Sequence, residues 1–300
     1  MALPAPAPAP APEQAYCDIS ALEAGFINLK LEMFLDDGKP GEVLIAPSLS
    51  FLVQHSTNGK KLIVDLGLRK DWENYSPINA ITSKNWGVTV PQDVSVSLRE
   101  GGLSPSDIDT ICITHVHFDH VGDTKPFTKS TFIVGGEAAI LFNPGYPDDP
   151  HSGFASDLLP PERTTFLDTK AWSSLGPFPR ALDYFGDGSL YIVDAAGHLP
   201  GHLNFLARTS SDGGWLLMAG DSAHHWRLIT GESQIAEGRA GSPFPGGCAH
   251  VNKKASDEHL ARIRAFLDQP RTRVIIAHDE PWYKQNKGGE AFWPGKIPSL

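Results

Sequence analysis

The chain is poor in cysteine, has fewer basic than acidic residues, and contains no long apolar run. Its three cysteines, Cys17, Cys112 and Cys248, are an odd number, lie far apart and form no Cys-x-x-Cys pair. This usage argues against a disulfide scaffold and favours a reducing compartment such as the cytoplasm. With 25 basic and 35 acidic residues, the formal net charge is −10, so neither nucleic acid nor an anionic membrane is an expected partner. No apolar stretch approaches the roughly 18 residues that a membrane helix needs.

The chain begins with a stretch rich in proline and alanine, followed by a long mixed sequence. Residues 1–14 read MALPAPAPAPAPEQ and lack the basic start and continuous apolar centre of a signal peptide. They predict a disordered, polyproline-like tail. Residues 15–300 are expected to form a single domain of ordinary globular composition. The region 121–185, rich in Pro, Gly and Asp, predicts an insertion or lid, with surface decoration as the alternative.

Eight short runs rich in Ile, Val and Leu, bounded by turn residues, predict β-strands. They lie at 50–56, 61–67, 109–115, 130–136, 189–195, 203–209, 214–221 and 273–279. Asn58-Gly59 between the first two runs predicts a hairpin, because both residues tolerate positive φ. Helices are predicted at 91–102 and at 256–268, the second with Ser256 as its N-cap.

Histidine is concentrated where one of these strands ends. The stretch ICITHVHFDH brings His115, His117, Asp119 and His120 within six positions. Imidazole and carboxylate at this density suit zinc or another borderline divalent ion better than calcium or magnesium. Three further predicted strands end in AAGHLPGH (His198, His202), MAGDSAHH (Asp221, His224, His225) and IIAHDE (His278, Asp279). The sequence therefore predicts a metal site at one edge of a sheet system.

The motifs THVHFDH, GHLPGH, AGDSAHH and IIAHD match, in order and spacing, those of the metallo-β-lactamase superfamily. Within it the chain most resembles the homoserine-lactone lactonases, over about residues 45–282. Its general character is also similar to fungal γ-lactamases that open benzoxazolinone-type rings. The resemblance implies an α/β (α+β) fold, an αββα sandwich with two sheets face to face and helices outside.

The resemblance also implies two divalent ions, with Zn²⁺ favoured and Mn²⁺, Fe²⁺ or Co²⁺ as alternatives. Carried over motif by motif, the ligands of the first ion would be His115, His117 and His198, those of the second Asp119, His120 and His278, with Asp221 bridging both. A hydroxide shared by the ions would attack the substrate carbonyl, and Asp119 would pass a proton to the leaving group. Asp65 would orient the ligand loop from behind.

One position departs from the lactonase pattern. Lactonases carry a tyrosine three residues after the bridging aspartate, whereas this chain has His224 there. An imidazole N–H can replace the phenol as a hydrogen-bond donor, and an imidazolium could assist the leaving group as an acid. We therefore count His224 with Asp119 and Asp221 as catalytic candidates.

These observations predict a metal-dependent hydrolase that opens a small cyclic amide, carbamate or lactone. A γ-lactam or benzoxazolinone-type ring, with a role in detoxification, is favoured. An N-acyl homoserine lactone is the main alternative, and a glyoxalase II-like thioesterase or a non-enzymatic metal-binding module are further ones. The oligomeric state is left open.

The remaining histidines and several aromatic residues carry secondary expectations. His202 is expected to hydrogen-bond the backbone and hold its loop, while His55, His250 and His259 are expected to be surface or capping residues. The candidate pocket walls are Trp86, Phe142, Tyr146 and Trp226.

Overall fold

A computed structural model describes residues 6–239 and 241–300. Its strands are β1 (Cys17–Leu22), β2 (Phe26–Lys30), β3 (Val43–Pro47), β4 (Ser50–His55), β5 (Lys61–Val64), β6 (Thr110–Cys112), β7 (Thr131–Gly135), β8 (Thr164–Leu167), β9 (Ser173–Leu175), β10 (Phe178–Asp183), β11 (Leu190–Asp194), β12 (Leu203–Arg208), β13 (Trp215–Met218) and β14 (Thr272–Ile275). Its α-helices are α1 (Pro77–Asn85), α2 (Val94–Glu100), α3 (Phe118–Val121), α4 (Trp226–Thr230), α5 (Lys253–Leu267) and α6 (Glu280–Asn286).

The strands form two six-stranded sheets and one small ribbon. The first sheet has the order β1-β4-β5-β6-β7-β8, and its neighbours from β5 to β8 are parallel. The second has the order β14-β13-β12-β11-β10-β9, in which only β13 and β14 are parallel. Strands β2 and β3 form a separate two-stranded antiparallel ribbon. Seven of the eight predicted runs contain one of these strands and the eighth, 273–279, overlaps β14, so those predictions are confirmed.

Apolar side chains on both faces of the strands produce a layered core. In β13, Leu216 and Met218 face the core between the two sheets, whereas Trp215 and Leu217 face the outer core that covers the second sheet. Helix α5 packs there through buried Leu260, Ile263 and Phe266, and α2 packs on the outer face of the first sheet through Val94 and Leu98. Both sheets are thus covered by helices, and the predicted αββα sandwich is confirmed.

Two local predictions need correction in detail. The hairpin between β4 and β5 is present, but the His55 N–H donates to the Lys60 carbonyl, so the turn spans residues 56–59 rather than two residues. Helix α5 begins earlier than predicted: the Asn252 side chain accepts from the Ala255 N–H and caps it, which leaves Ser256 inside the helix. Asn252 rather than Ser256 is the N-cap, because Lys253 to Ala255 are compatible with the first turn of a helix.

The region 121–185 contributes strands to both sheets. β7 and β8 extend the first sheet, and β9 and β10 extend the second. Residues 6–14 form no helix or strand, but the Ala7 N–H donates to Gln269 and the Pro8 carbonyl accepts from Arg208. The domain boundaries and the lid stay predictions. Among the described residues, no helix has both the length and the apolar character required to cross a bilayer.

Candidate active site

The HVHFDH segment follows the end of β6 and is oriented by Asp65 at the end of β5. Asp65 is buried with φ of 60°, accepts from the Thr114 N–H and hydroxyl at 2.7 Å each, and lies 2.8 Å from His120 Nδ1. Three donors thus converge on one carboxylate. The chain then turns at His117 into the short helix α3, whose first turn carries Asp119 and His120.

The structure brings the seven predicted ligands together in two groups. His115, His117, His198 and Asp221 form one group, and Asp119, His120 and His278 form the other, with ligand atoms of each group within 4.8 Å of one another. In the first group, His117 Nδ1 lies 2.9 Å from His115 Nε2 and 3.0 Å from His198 Nε2. In the second, Asp119 Oδ2 lies 3.5 Å from His278 Nε2 and 4.0 Å from His120 Nε2.

The two oxygens of Asp221 face different groups. Oδ2 lies 3.5 Å from His198 Nε2 and 3.8 Å from His115 Nε2. Oδ1 lies 3.3 Å from His120 Nε2 and 3.4 Å from His278 Nε2. This is the arrangement that the predicted bridging role requires.

The donor set fits divalent ions. Asp221 Oδ1 and His120 Nε2 are buried without a hydrogen-bond partner among the described residues, and buried polar atoms normally have one. Five imidazoles and two carboxylates, converging on two adjacent points, match the nitrogen and oxygen preference of borderline divalent metals.

Further hydrogen bonds, made by the ring nitrogens of His278 and His202, hold the predicted ligands and their loops in place. His278 Nδ1 lies 2.9 Å from the Pro47 carbonyl. His202 Nδ1 lies 3.1 Å from the Ala195 carbonyl, and its Nε2 accepts from the Asp221 N–H at 3.1 Å. These contacts assign His202 the backbone-binding role predicted for it, because the tautomer that accepts at Nε2 donates at Nδ1.

Burial and charge divide the imidazoles into two classes. Burial lowers the pKa of His115 and His198, and it lowers the pKa of His117 to about 4. Burial also acts on His120 and His278, but the nearby Asp221 and other carboxylates outweigh it and raise both pKa values, to about 10 for His278. Without ions, the imidazoles of the first group are therefore neutral, whereas those of the second hold protons that ion binding must displace.

His224 lies beside the two ligand groups and lines the adjoining cavity. Its Nε2 is 3.1 Å from Asp221 Oδ2, and its ring packs 4.5 Å from that of Phe34. His225 instead caps α4 by accepting from the Arg227 N–H, and Asp279 caps α6 by accepting from the Trp282 N–H.

The surface position expected for three other histidines is wrong, whereas the expected capping role holds for His55, whose Nδ1 accepts from the Thr57 and Asn58 N–H groups. His55, His250 and His259 are all buried. His55 pairs with Asp187 at 2.8 Å, and His259 Nε2 lies 2.7 Å from Asn204 Oδ1. His250 packs against His198 and His224, with ring centroids 5.0 and 5.1 Å away. Isolated histidines in mixed segments gave no sign of this burial.

A cavity of about 290 Å³ opens over both groups. Of the four candidate wall residues, Trp86 lines it, and Phe142, Tyr146 and Trp226 do not. Sequence reasoning missed four further aromatic residues that line it, namely Phe34, Phe118, Phe154 and Phe244. They come from separate segments that carry no shared pattern, so only the folded chain brings them together.

The chain is similar in sequence to known proteins. The metallo-β-lactamase superfamily model matches residues 45–278. The cytochrome P450 monooxygenase mpaDE' of Penicillium brevicompactum is 34% identical over 309 residues, covering 93% of this chain and 35% of that protein. The gamma-lactamase FDB1 of Fusarium pseudograminearum is 35% identical over 194 residues, covering 61% and 47%. The chain thus spans about a third to a half of the length of these relatives.

A solved structure shares the fold across nearly the whole chain. It is an N-acyl homoserine lactone hydrolase with the product N-hexanoyl-L-homoserine bound at the catalytic metal center. The TM-score is 0.69 at 17% identity, and the match covers 93% of this chain and 98% of that one.

Proposed function

The chain belongs to the metallo-β-lactamase superfamily, and from this premise we propose that it hydrolyses the ring of a small cyclic amide, carbamate or lactone. A γ-lactam or benzoxazolinone-type ring is the favoured substrate, in line with the gamma-lactamase relative. The observation that carries the proposal is the position of Asp221, whose oxygens face both ligand groups at the base of an apolar cavity.

We assign the two ligand groups to two divalent ions, with Zn²⁺ favoured because imidazole dominates the donor set. His115, His117 and His198 would hold one ion, Asp119, His120 and His278 the other, and Asp221 both. When bound, such ions polarise a carbonyl and lower the pKa of water from about 16 to about 7.

Two side chains of the cavity wall supply the remaining chemistry. His224 can donate its Nε2–H to the carbonyl oxygen of the substrate, as the phenol of a tyrosine would. Asp119 lines the same cavity and is placed to carry a proton to the leaving nitrogen or oxygen. The His224 Nε2–H faces Asp221 Oδ2 at 3.1 Å, so it would be released to the substrate once the Asp221 oxygens bind the ions.

The lining of the cavity supports a flat, uncharged substrate. Phe34, Trp86 and Phe244 form a cluster with ring centroids 5.6 to 6.0 Å apart, suited to an aromatic ring. No Lys or Arg lies among the described lining residues. An anionic thioester such as a glutathione conjugate would therefore find no cationic partner, which disfavours the thioesterase alternative. An acylated lactone is uncharged and remains the main competitor.

The proposal includes a cytoplasmic location and a role in detoxification. The first is supported by the three cysteines, which are unpaired in the structure. The second is supported by the aromatic cavity, which suits small cyclic xenobiotics.

The test is opening of 2-benzoxazolinone by the zinc-loaded protein, with and without a chelator, followed by mass spectrometry for 2-aminophenol, because the carbamic acid formed by addition of one water loses CO₂. We expect chelator-sensitive opening, abolished in Asp221→Ala together with a loss of bound metal. N-hexanoyl homoserine lactone is assayed in parallel, and preference for it would move the assignment to the lactonase alternative. A metal-loaded protein that opens neither ring would refute the proposed hydrolase.

A further inference from the structure

His250 packs against His198 of the first ligand group and is not among the residues that line the cavity. It is 3% exposed, and its ring stands edge-on to that of His198 with an interplanar angle of 76°. None of the four family motifs includes this position. Its surroundings nevertheless connect it to His198 in two ways, through the main chain and through the side chain.

The main chain around His250 is fastened to the segment that carries His198. The Val251 N–H donates to the His198 carbonyl at 3.0 Å, and the Asn252 N–H donates to the Gly197 carbonyl at 2.8 Å. Gly197 has φ of 144°, and a Cβ there would stand 2.4 Å from Ser256 Oγ. The start of α5 is therefore pressed directly against the His198 loop, which only glycine permits.

The His250 side chain has one anchored nitrogen and one unpartnered nitrogen. Nδ1 lies 3.0 Å from the hydroxyl of Ser256, which is itself buried. Nε2 is buried without a partner among the described residues, and so are His198 Nδ1 and His224 Nδ1. One ring nitrogen from each of the three histidines lies within 4.8 Å of those of the other two.

The chemistry of His198 determines which of these nitrogens must donate. If His198 binds an ion through Nε2, which faces His117 and Asp221, the neutral ring keeps its proton on Nδ1. A ligating histidine normally donates that second N–H to an acceptor, which fixes the ring and raises its basicity. In the proposed function His224 keeps its proton on Nε2, 3.1 Å from Asp221 Oδ2, so among the three unpartnered nitrogens His198 Nδ1 is the one that must donate.

We propose that His250 is a positioning residue for His198, whose Nδ1–H donates to His250 Nε2 while His250 Nδ1–H donates to Ser256 Oγ. The proposal rests on the ligand role of His198 in the proposed function. It assigns the neutral imidazole of His250 as the acceptor for a metal ligand, and Ser256 as the residue that holds this imidazole in place.

The test measures zinc affinity by competition with a chromogenic chelator, on the full chain, without substrate. For the wild type we expect two zinc ions per chain. In His250→Leu, which removes the acceptor, one of the two should bind about 10- to 100-fold more weakly. His250→Gln offers a side-chain oxygen as acceptor and should restore the affinity to within about threefold. His55→Leu, which removes a buried imidazole paired with Asp187 instead, should leave both affinities unchanged.

Three results would overturn the proposal. The first is wild-type zinc affinity in His250→Leu, and the second is equal weakening in the leucine and glutamine variants. The third is three ions in the wild type and two in both variants, which would make His250 itself a ligand. If the leucine variant does not fold, His250→Phe replaces it, because it keeps a flat ring without an acceptor. Since no substrate is used, a protein that binds two ions but opens no ring would refute the hydrolase and leave this inference intact.

Discussion

Replacement of Asp65 by asparagine tests how strongly the ligand loop depends on one buried carboxylate. The change keeps the shape of the side chain, and asparagine tolerates the positive φ of 60° at this position, so backbone strain is not introduced. It converts one acceptor oxygen into an NH₂ group. If the NH₂ group takes the place of Oδ2, it meets the Thr114 hydroxyl and His120 Nδ1, and if it takes the place of Oδ1, it meets the Thr114 N–H.

The expected cost follows from these contacts. A buried donor left without its acceptor costs about 1 to 3 kcal/mol. One or two of the three donors lose their acceptor, so we expect the free energy of unfolding of the metal-free protein to fall by about 2 to 4 kcal/mol. In the first orientation His120 loses the partner that orients its ring, and in the second the Thr114 N–H before the ligand segment loses its acceptor, so zinc affinity should fall about 10- to 100-fold in either case.

Urea unfolding of the metal-free protein and chelator competition on the loaded protein measure the two effects separately. Asp187→Asn is the matched control, because it removes the carboxylate partner of a buried histidine, His55, outside both ligand groups. Its zinc affinity should stay at the wild-type level. Unchanged zinc affinity in Asp65→Asn, whatever its stability, would refute the reasoning that Asp65 orients a metal ligand.

Three further predictions concern the cavity and the protons of the site. His224→Phe should lower kcat on the accepted ring about 10²- to 10³-fold by removing a donor, while His224→Tyr should retain most of it; equal rates in steady-state kinetics would contradict the donor role. The raised pKa values of His120 and His278, the latter about 10, require both protons to leave when an ion binds, so zinc affinity should tighten about tenfold to a hundredfold per pH unit between pH 6.5 and about 10. The His278 proton stabilises the metal-free fold fully below pH 6.5, and its contribution is lost as pH rises through about 10; chelator competition that gives a flat pH profile would contradict both. Trp86→Ala should raise KM about 5- to 10-fold with little change in kcat, and Phe166→Ala, outside the cavity, should change neither.

The residues that meet in the two groups were predictable because the signal is local. Each motif joins an apolar strand to a few polar residues, and β6, β11, β13 and β14 all end in the structure just before the ligands predicted from them. The order of the motifs along the chain is therefore enough to indicate a shared edge. His224 was identified in the same way, since it lies within one of these motifs.

The residues of the cavity wall, and those that pack behind the predicted ligands, were not predictable from such local signals. Phe34 and Phe244 lie about two hundred residues apart and meet at a ring distance of 5.6 Å only after folding. Strands β8, β9 and β10 lie in a region rich in turn residues, where pairing with existing sheet edges outweighs weak local propensity. His250 gives no pattern at all, because its partner Ser256 is six residues away on the next helix and its ring neighbours belong to other motifs.

The seven predicted ligands come from loops of both sheets, with His115 to His120 following β6 of the first and His198, Asp221 and His278 following strands of the second. Ions bound there would therefore act as a crosslink between the two halves of the sandwich. Free metal at 100 times its dissociation constant adds about 2.7 kcal/mol to the stability of a folded state that alone binds it. The cooperativity with which the halves unfold, and the lifetime of the protein in a cell, would then depend on the supply of metal as well as on the core.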